Sequence, residues 1–228
     1  MECLNCCAEF EQSDNYCRSC GQNTSTHRLT TKHTIHHFFH AFTHTDKGFF
    51  YLIPKLLVKP GIIAREYKDG KRKTYFSPFT FILIVVALNT FLVATFNIMK
   101  IPYAGQPQHP AVVMVSNFTN QHFNLIVFLS VPMIALFTSK FFKKRINYAE
   151  SLVIVSYTSG ERAVFFMLII VPLLLLFKEN YYLIIWSYIA LYMVYFSWAC
   201  CQYFNDYRIS TFIKGALSFV LAQATVSL

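Results

Sequence analysis

Long apolar runs separated by short polar or basic stretches fill most of this chain, and the runs are too long for the helices of a soluble domain. A hydrocarbon layer about 30 Å thick is crossed by about 20 helical residues. Runs of that kind occupy residues 79–99, 123–142, 160–177, 181–204 and 212–228, the last with Lys214 near its start. The pattern predicts an all-α, multi-pass membrane protein with about five transmembrane helices, in a domain covering residues 77–228. Ser77-Pro78 supplies a capping hydroxyl and a first-turn proline for the first span. Pro132 is expected to kink the second span without ending it, because carbonyls freed inside a bundle find other donors.

Composition agrees with a bilayer as solvent. Apolar residues make up 55% of the chain and charged residues only 14%, and the mean hydropathy is positive at +0.40. Twenty Lys and Arg against 11 Asp and Glu give a net charge of +9, and their positions explain the excess. Lys47, Lys55, Lys59, Arg65, Lys68, Lys71, Arg72 and Lys73 precede the first span, Lys140, Lys143, Lys144 and Arg145 separate the second from the third, and Arg208 and Lys214 separate the fourth from the fifth. The alternate loops contain only Lys100 and Lys178. Basic loops stay on the cytoplasmic side, so the N-terminus is expected in the cytoplasm, as the lack of an apolar signal core also suggests. Arg65, Lys68, Lys71, Arg72 and Lys73 form a membrane-surface basic group suited to anionic headgroups, each contributing about 1 kcal/mol near the surface. Topology and headgroups account for the charge without nucleic acid.

Five of the seven cysteines fall in the first twenty residues. Cys3 and Cys6, then Cys17 and Cys20, form two Cys-x2-Cys pairs, a spacing that wraps two edges of a tetrahedral metal. Four thiolates with no open position describe one structural zinc per chain, in a ribbon over residues 1–28 whose folding is supplied by the metal. Gly21 follows the second pair, where a knuckle needs positive φ. Cys7 stands at the matching place after the first pair, and is open to three readings: an alternative ligand, a free thiol, or a tolerated substitution in the turn.

Residues 29–76 read as an amphipathic, basic surface region. Ile35, Phe38, Phe39 and Phe42 repeat as one helical stripe, among His33, His36, His37, His40 and His44. An interfacial helix explains this pattern; a second metal site or a pH-responsive switch is the alternative. Glu150, Glu161 and Arg162 are the charged residues between Tyr148 and Phe177. The favoured reading has the chain lying along the interface, turning at Gly160 and holding Glu161 and Arg162 at headgroup level. The other reading places these groups at a polar site inside the bundle.

The connector carries a resemblance. Cys-Gly-Gln after the second pair, Asp-Lys-Gly-Phe at Asp46 to Phe49, Lys-Pro-Gly at Lys59, Arg-Glu-Tyr at Arg65, Gly-Lys-Arg at Gly70 and Tyr-x-Ser-Pro at Tyr75 together resemble the bacterial membrane family called domain of unknown function 3667. The resemblance implies a zinc ribbon joined to a membrane domain in the bacterial cytoplasmic membrane, and no activity. Cys7 departs from its pattern where a glycine is expected.

The functional expectation is a non-catalytic membrane protein whose cytoplasmic ribbon and basic connector dock or assemble an unidentified protein partner, with oligomerisation open. A small transporter or channel using Glu150, Glu161 and Arg162 is the alternative. A membrane-embedded enzyme comes third, because no nucleophile with its base and no catalytic ligand set can be assembled from the spacing.

Overall fold

A computed structural model describes residues 1–24, 48–96 and 123–226. The histidine-rich segment with His33, His36, His37, His40 and His44 lies outside the described residues, as does the loop between the first two spans. Beyond the N-terminal module the described chain is helical: α1 (Gly48–Val58), α2 (Pro60–Lys68), α3 (Pro78–Phe96), α4 (Phe123–Phe141), α5 (Tyr148–Phe165), α6 (Val171–Leu176), α7 (Tyr181–Phe204) and α8 (Ile209–Val226). A π-helical turn, Phe166–Ile170, joins α5 to α6 in one apolar rod of 29 residues. Four elements are long and apolar enough to cross a membrane: α3, the α5–α6 rod, α7 and α8. With α4, 19 residues long and continuous through Pro132, the architecture comes close to the expected five.

The bundle is apolar on its outer surface, as a bilayer demands, and its largely apolar interior also takes in polar side chains. Thr138, Thr158, Ser197 and Ser218 are buried, and each hydroxyl donates to the carbonyl four residues earlier, so none of these four needs water. Leu88, Phe91, Leu168, Trp186 and Leu221 point outward. On α1 the exposed residues Phe50, Tyr51, Pro54, Leu57 and Val58 form a second apolar stripe opposite buried Leu52 and Leu56. A short helix that is apolar on both faces, one packed and one open, is suited to lie against lipid.

The region before the third span departs from the favoured sequence reading. The helix starts at Tyr148, where Asn147 accepts from the Glu150 N–H at 2.8 Å and Glu150 accepts from the Asn147 N–H at 3.1 Å, a reciprocal capping box. It runs straight through Gly160 without a turn. Gly160 is there for packing: a Cβ would come within 2.5 Å of the Phe81 ring, which is fully buried against it.

The basic loops share one end of the bundle. Arg145 donates to the Asp206 carboxylate at 2.8 Å and to the Phe204 carbonyl at 2.9 Å, tying the α4–α5 connection to the α7–α8 connection. Beside them Phe142 and Phe204 stack with centroids 4.4 Å apart. On the same end, α2 lies across α7 so closely that the missing side chain of Gly61 is a requirement: a Cβ would sit 2.0 Å from the Ala199 carbonyl oxygen. Gln202 locks the contact, accepting from the Gly61 N–H at 3.1 Å and donating to the Val58 carbonyl at 3.0 Å. The Lys-Pro-Gly motif is thus a docking turn, with the proline opening α2.

Candidate metal centre and intramembrane polar site

The N-terminal module consists of two copies of one turn. The Cys7 N–H donates to the Cys3 carbonyl and the Cys3 N–H to the Ala8 carbonyl; fourteen residues later Gly21 and Cys17, then Cys17 and Gln22, repeat both bonds, all four at 2.8 to 2.9 Å. Single antiparallel bridges, Glu2 with Glu9 and Tyr16 with Asn23, close the two turns in the same way. Cys7 has φ of 59° and Gly21 of 71°, so both turns need the left-handed conformation and only one has the residue that adopts it without strain.

The turns bring Cys3, Cys6, Cys17 and Cys20 together, with all four sulfurs within 4.8 Å of one another. Cys3 and Cys20 are 3.6 Å apart and Cys6 and Cys17 3.7 Å apart. Bonds of about 2.3 Å to a tetrahedral metal place sulfurs about 3.8 Å apart, so these four residues could hold a metal ion. The Cys20 N–H, with that of Ser19, stabilises the Cys17 thiolate and brings its pKa down to about 7, whereas burial pushes Cys20 up to about 11. A dication that binds all four takes over the protons' role. The exposed Cys7 thiol lies outside the four-sulfur group, beside Glu2, whose hydrogen bond and charge raise its pKa.

The module is fastened to the connector by amide side chains. Gln22, buried at the end of the second turn, donates from Nε2 to the Gly70 carbonyl at 2.8 Å, and its Oε1 accepts from the N–H groups of Arg72 at 3.2 Å and Lys73 at 3.3 Å. Asn5, inside the first Cys-x2-Cys pair, accepts from the N–H and hydroxyl of Thr74 at 3.1 and 2.8 Å. The loop is braced beneath by Glu66, which accepts from Lys71 at 2.9 Å and from the Tyr75 hydroxyl. Burial alone would raise the Glu66 pKa, but these two donors outweigh it and hold the carboxyl low. Tyr157 of α5 donates to the Phe76 carbonyl at 2.6 Å and meets Tyr67 edge-on. An unbroken series of contacts therefore runs from the cysteine cluster to the bundle.

The basic group has two duties in consequence. Lys71 is engaged by Glu66, Lys68 lies 2.7 Å from Asp69, and the main chain of Arg72 and Lys73 holds Gln22. The pairing of Gln22 and Asn5 with the 70–74 loop is not visible in the sequence, because no periodicity pairs segments about fifty residues apart.

Among the three acidic and basic groups singled out near the third span, the structure brings two together. Glu150 serves the cap at the start of α5. Glu161 and Arg162 lie eleven and twelve residues beyond Glu150 and are only 3% and 8% exposed. They line a cavity of about 150 Å3 between α1, α5 and α7, together with Leu57, Phe165, Tyr192 and Tyr195. The guanidinium lies over the Tyr192 ring at 4.5 Å, Tyr192 shares a 3.1 Å hydrogen bond with Ser159, and Tyr188 donates to the Arg162 carbonyl at 3.1 Å. Tyr195 donates to the Leu56 carbonyl at 2.9 Å and so fixes the end of α1 over the cavity. Glu161 Oε2 and Arg162 Nε and Nη2 are sealed from water without a hydrogen-bond partner.

No curated protein and no solved structure matches the chain. A match to a family does exist, and it covers about one fifth of the sequence: α1, α2, the braced loop and the first part of α3, which are the parts that join the cysteine module to the bundle. Over residues 46–90 the chain is similar to the family described as "Protein of unknown function (DUF3667)", in agreement with the motifs of its connector.

Proposed function

We propose that this is a non-catalytic integral membrane protein of the bacterial cytoplasmic membrane, in which a zinc ribbon on the cytoplasmic side serves with the basic connector as a docking or assembly module for a protein partner. Zinc is the metal best matched by four thiolates in a closed tetrahedron, a structural arrangement with no position left for substrate. The observation that carries the reading is the Gln22 clasp: the module is held against the Gly70–Lys73 loop by three hydrogen bonds of the buried Gln22 side chain, so a partner that engages it is presented to the bundle in a fixed orientation. Lys and Arg around the loop favour anionic headgroups beneath the same surface.

A photo-crosslinking residue placed at Tyr16, which is 61% exposed on the module, tests the reading in membranes containing the full chain. The expected result is one discrete heavier adduct that disappears on Cys17→Ser. No adduct, or an adduct indifferent to that change, would refute docking through the ribbon.

The buried Glu161 and Arg162 favour a second reading, a small transporter or channel. Solute flux through liposomes containing the chain, abolished by Glu161→Gln, would support it in place of the first.

A further inference from the structure

The acidic groups beside the α4–α5 connection are already engaged. Asp206 accepts from Arg145 at 2.8 Å and lies 3.8 Å from Arg208, and the Glu150 carboxylate closes the α5 cap. Lys143 and Lys144, both exposed, therefore have no carboxylate partner among the described residues. Lys140 lies over the Phe137 ring at 5.7 Å and Lys214 over the Phe142 ring at 6.0 Å, so further cations gather around the same connection. The α5 N-terminus is occupied by its own capping box, and an anion here is drawn by the basic side chains.

Both lysines line an open pocket between the end of α4 and the start of α5, whose other walls include Ser139, Arg145 and Tyr148. At about 360 Å3 it exceeds the about 150 Å3 that holds a benzene molecule, so a phosphate ester of about ten non-hydrogen atoms fits. Arg145 is a fixed wall, held by Asp206 and the Phe204 carbonyl with its guanidinium over the Phe204 ring at 4.7 Å. The face of α4 that leads away from the pocket is apolar. Spacings of three and four residues put Leu129, Pro132, Leu136 and Ser139 in one stripe, in which Leu129 and Pro132 are exposed. The Tyr148 hydroxyl, from the pocket wall, lies 3.5 Å from the Pro132 carbonyl. A cationic pocket at the end of an outward apolar stripe matches an amphiphile with its phosphate in the pocket and its chains along the stripe. Basic pockets between membrane helices hold anionic headgroups in this way.

We propose that this pocket binds the headgroup of an anionic phospholipid, its phosphate on Lys143 and Lys144 and its acyl chains against Leu129 and Pro132. The site is separate from the cysteine module and its connector, and does not depend on what they dock. A diffuse basic surface attracts anionic lipid by charge alone; a pocket adds a dependence on shape.

The test is native mass spectrometry of the purified full chain in detergent micelles, titrated with phosphatidylglycerol, with phosphatidylcholine of the same chains, and with free glycerol phosphate. The expected result is saturable binding of phosphatidylglycerol, about tenfold or more tighter than either of the others, and weakened about tenfold by Lys143→Gln with Lys144→Gln. Both changes are on exposed side chains and leave the packing untouched. Lys59→Gln with Lys73→Gln removes the same charge from exposed positions on the connector and should move the affinity by less than about threefold. Ser139→Trp keeps every charge while filling the pocket, and should weaken binding as much as the loss of the two lysines. Equal loss from the two double changes, full binding by Ser139→Trp, or no saturable binding would overturn the pocket. Glycerol phosphate bound as tightly as the lipid would make the ligand a soluble phosphate ester and overturn the lipid assignment.

Discussion

Replacing Gly61 with alanine probes the joint on which the mounting of the module depends. The new Cβ would lie 2.0 Å from the Ala199 carbonyl oxygen, 2.5 Å from the Tyr203 nitrogen and 2.7 Å from the Gln202 Cβ. Two of the three contacts are α7 backbone, which cannot rotate away, so α2 must lift by more than 1 Å to restore a distance above about 3 Å. Overpacking of this kind costs about 1 to 3 kcal/mol. The lift also pulls apart the Gly61–Gln202 and Gln202–Val58 hydrogen bonds, each worth about 1 kcal/mol. Together they give about 3 to 5 kcal/mol, a fall in unfolding midpoint of about 6 to 20 °C for a chain of this size. Heating the purified protein in detergent and following the monodisperse fraction by size-exclusion chromatography measures it. Gly48→Ala is the control, because its Cβ would meet nothing closer than 3.7 Å, and it should leave the midpoint unchanged. A Gly61→Ala midpoint equal to that of the control would refute the close crossing of α2 and α7.

Two further predictions use local features. Cys7→Gly should keep the metal and stabilise the module by about 1 kcal/mol, because it removes an L-residue from the left-handed region; a loss of metal, read by absorption of a cobalt-substituted sample, would instead make Cys7 a ligand. The Arg145 hydrogen bond is the main cause of the lowered Asp206 pKa. A carboxyl depressed in the folded state contributes stability above its ordinary value of 3.8, and that contribution is lost as pH falls through the lower folded value. Thermal midpoints measured from neutral pH down to about pH 3 should accordingly converge for parent and Asp206→Asn in acid. A constant separation at all pH values would contradict the pairing.

The spans were legible in sequence because lipid contact demands uninterrupted apolar runs, and the cysteine turns because metal geometry demands fixed spacing. The region before Ala163 was less so. A chain lying along the interface up to Gly160 would expose Ser151, Ser156, Thr158 and Ser159, yet all four are buried, since in a bilayer polar residues face inward. Asn147 followed by Glu150 was a readable start signal for α5, and a glycine inside an apolar helix reads as a break until the ring packed against it is known. Gly61 and Gln202, far apart in sequence, show why the rest was hidden: their chemistry is ordinary, and only the fold places them in contact.

The measurement that bears most directly on the account is the metal content of the purified full chain, determined by mass spectrometry beside that of Cys17→Ser. One zinc per chain in the parent, lost in the variant together with protection of the Gly70–Thr74 loop from protease, is the expected result. A parent free of zinc, or a variant that keeps it, would contradict a cysteine module built around a structural metal.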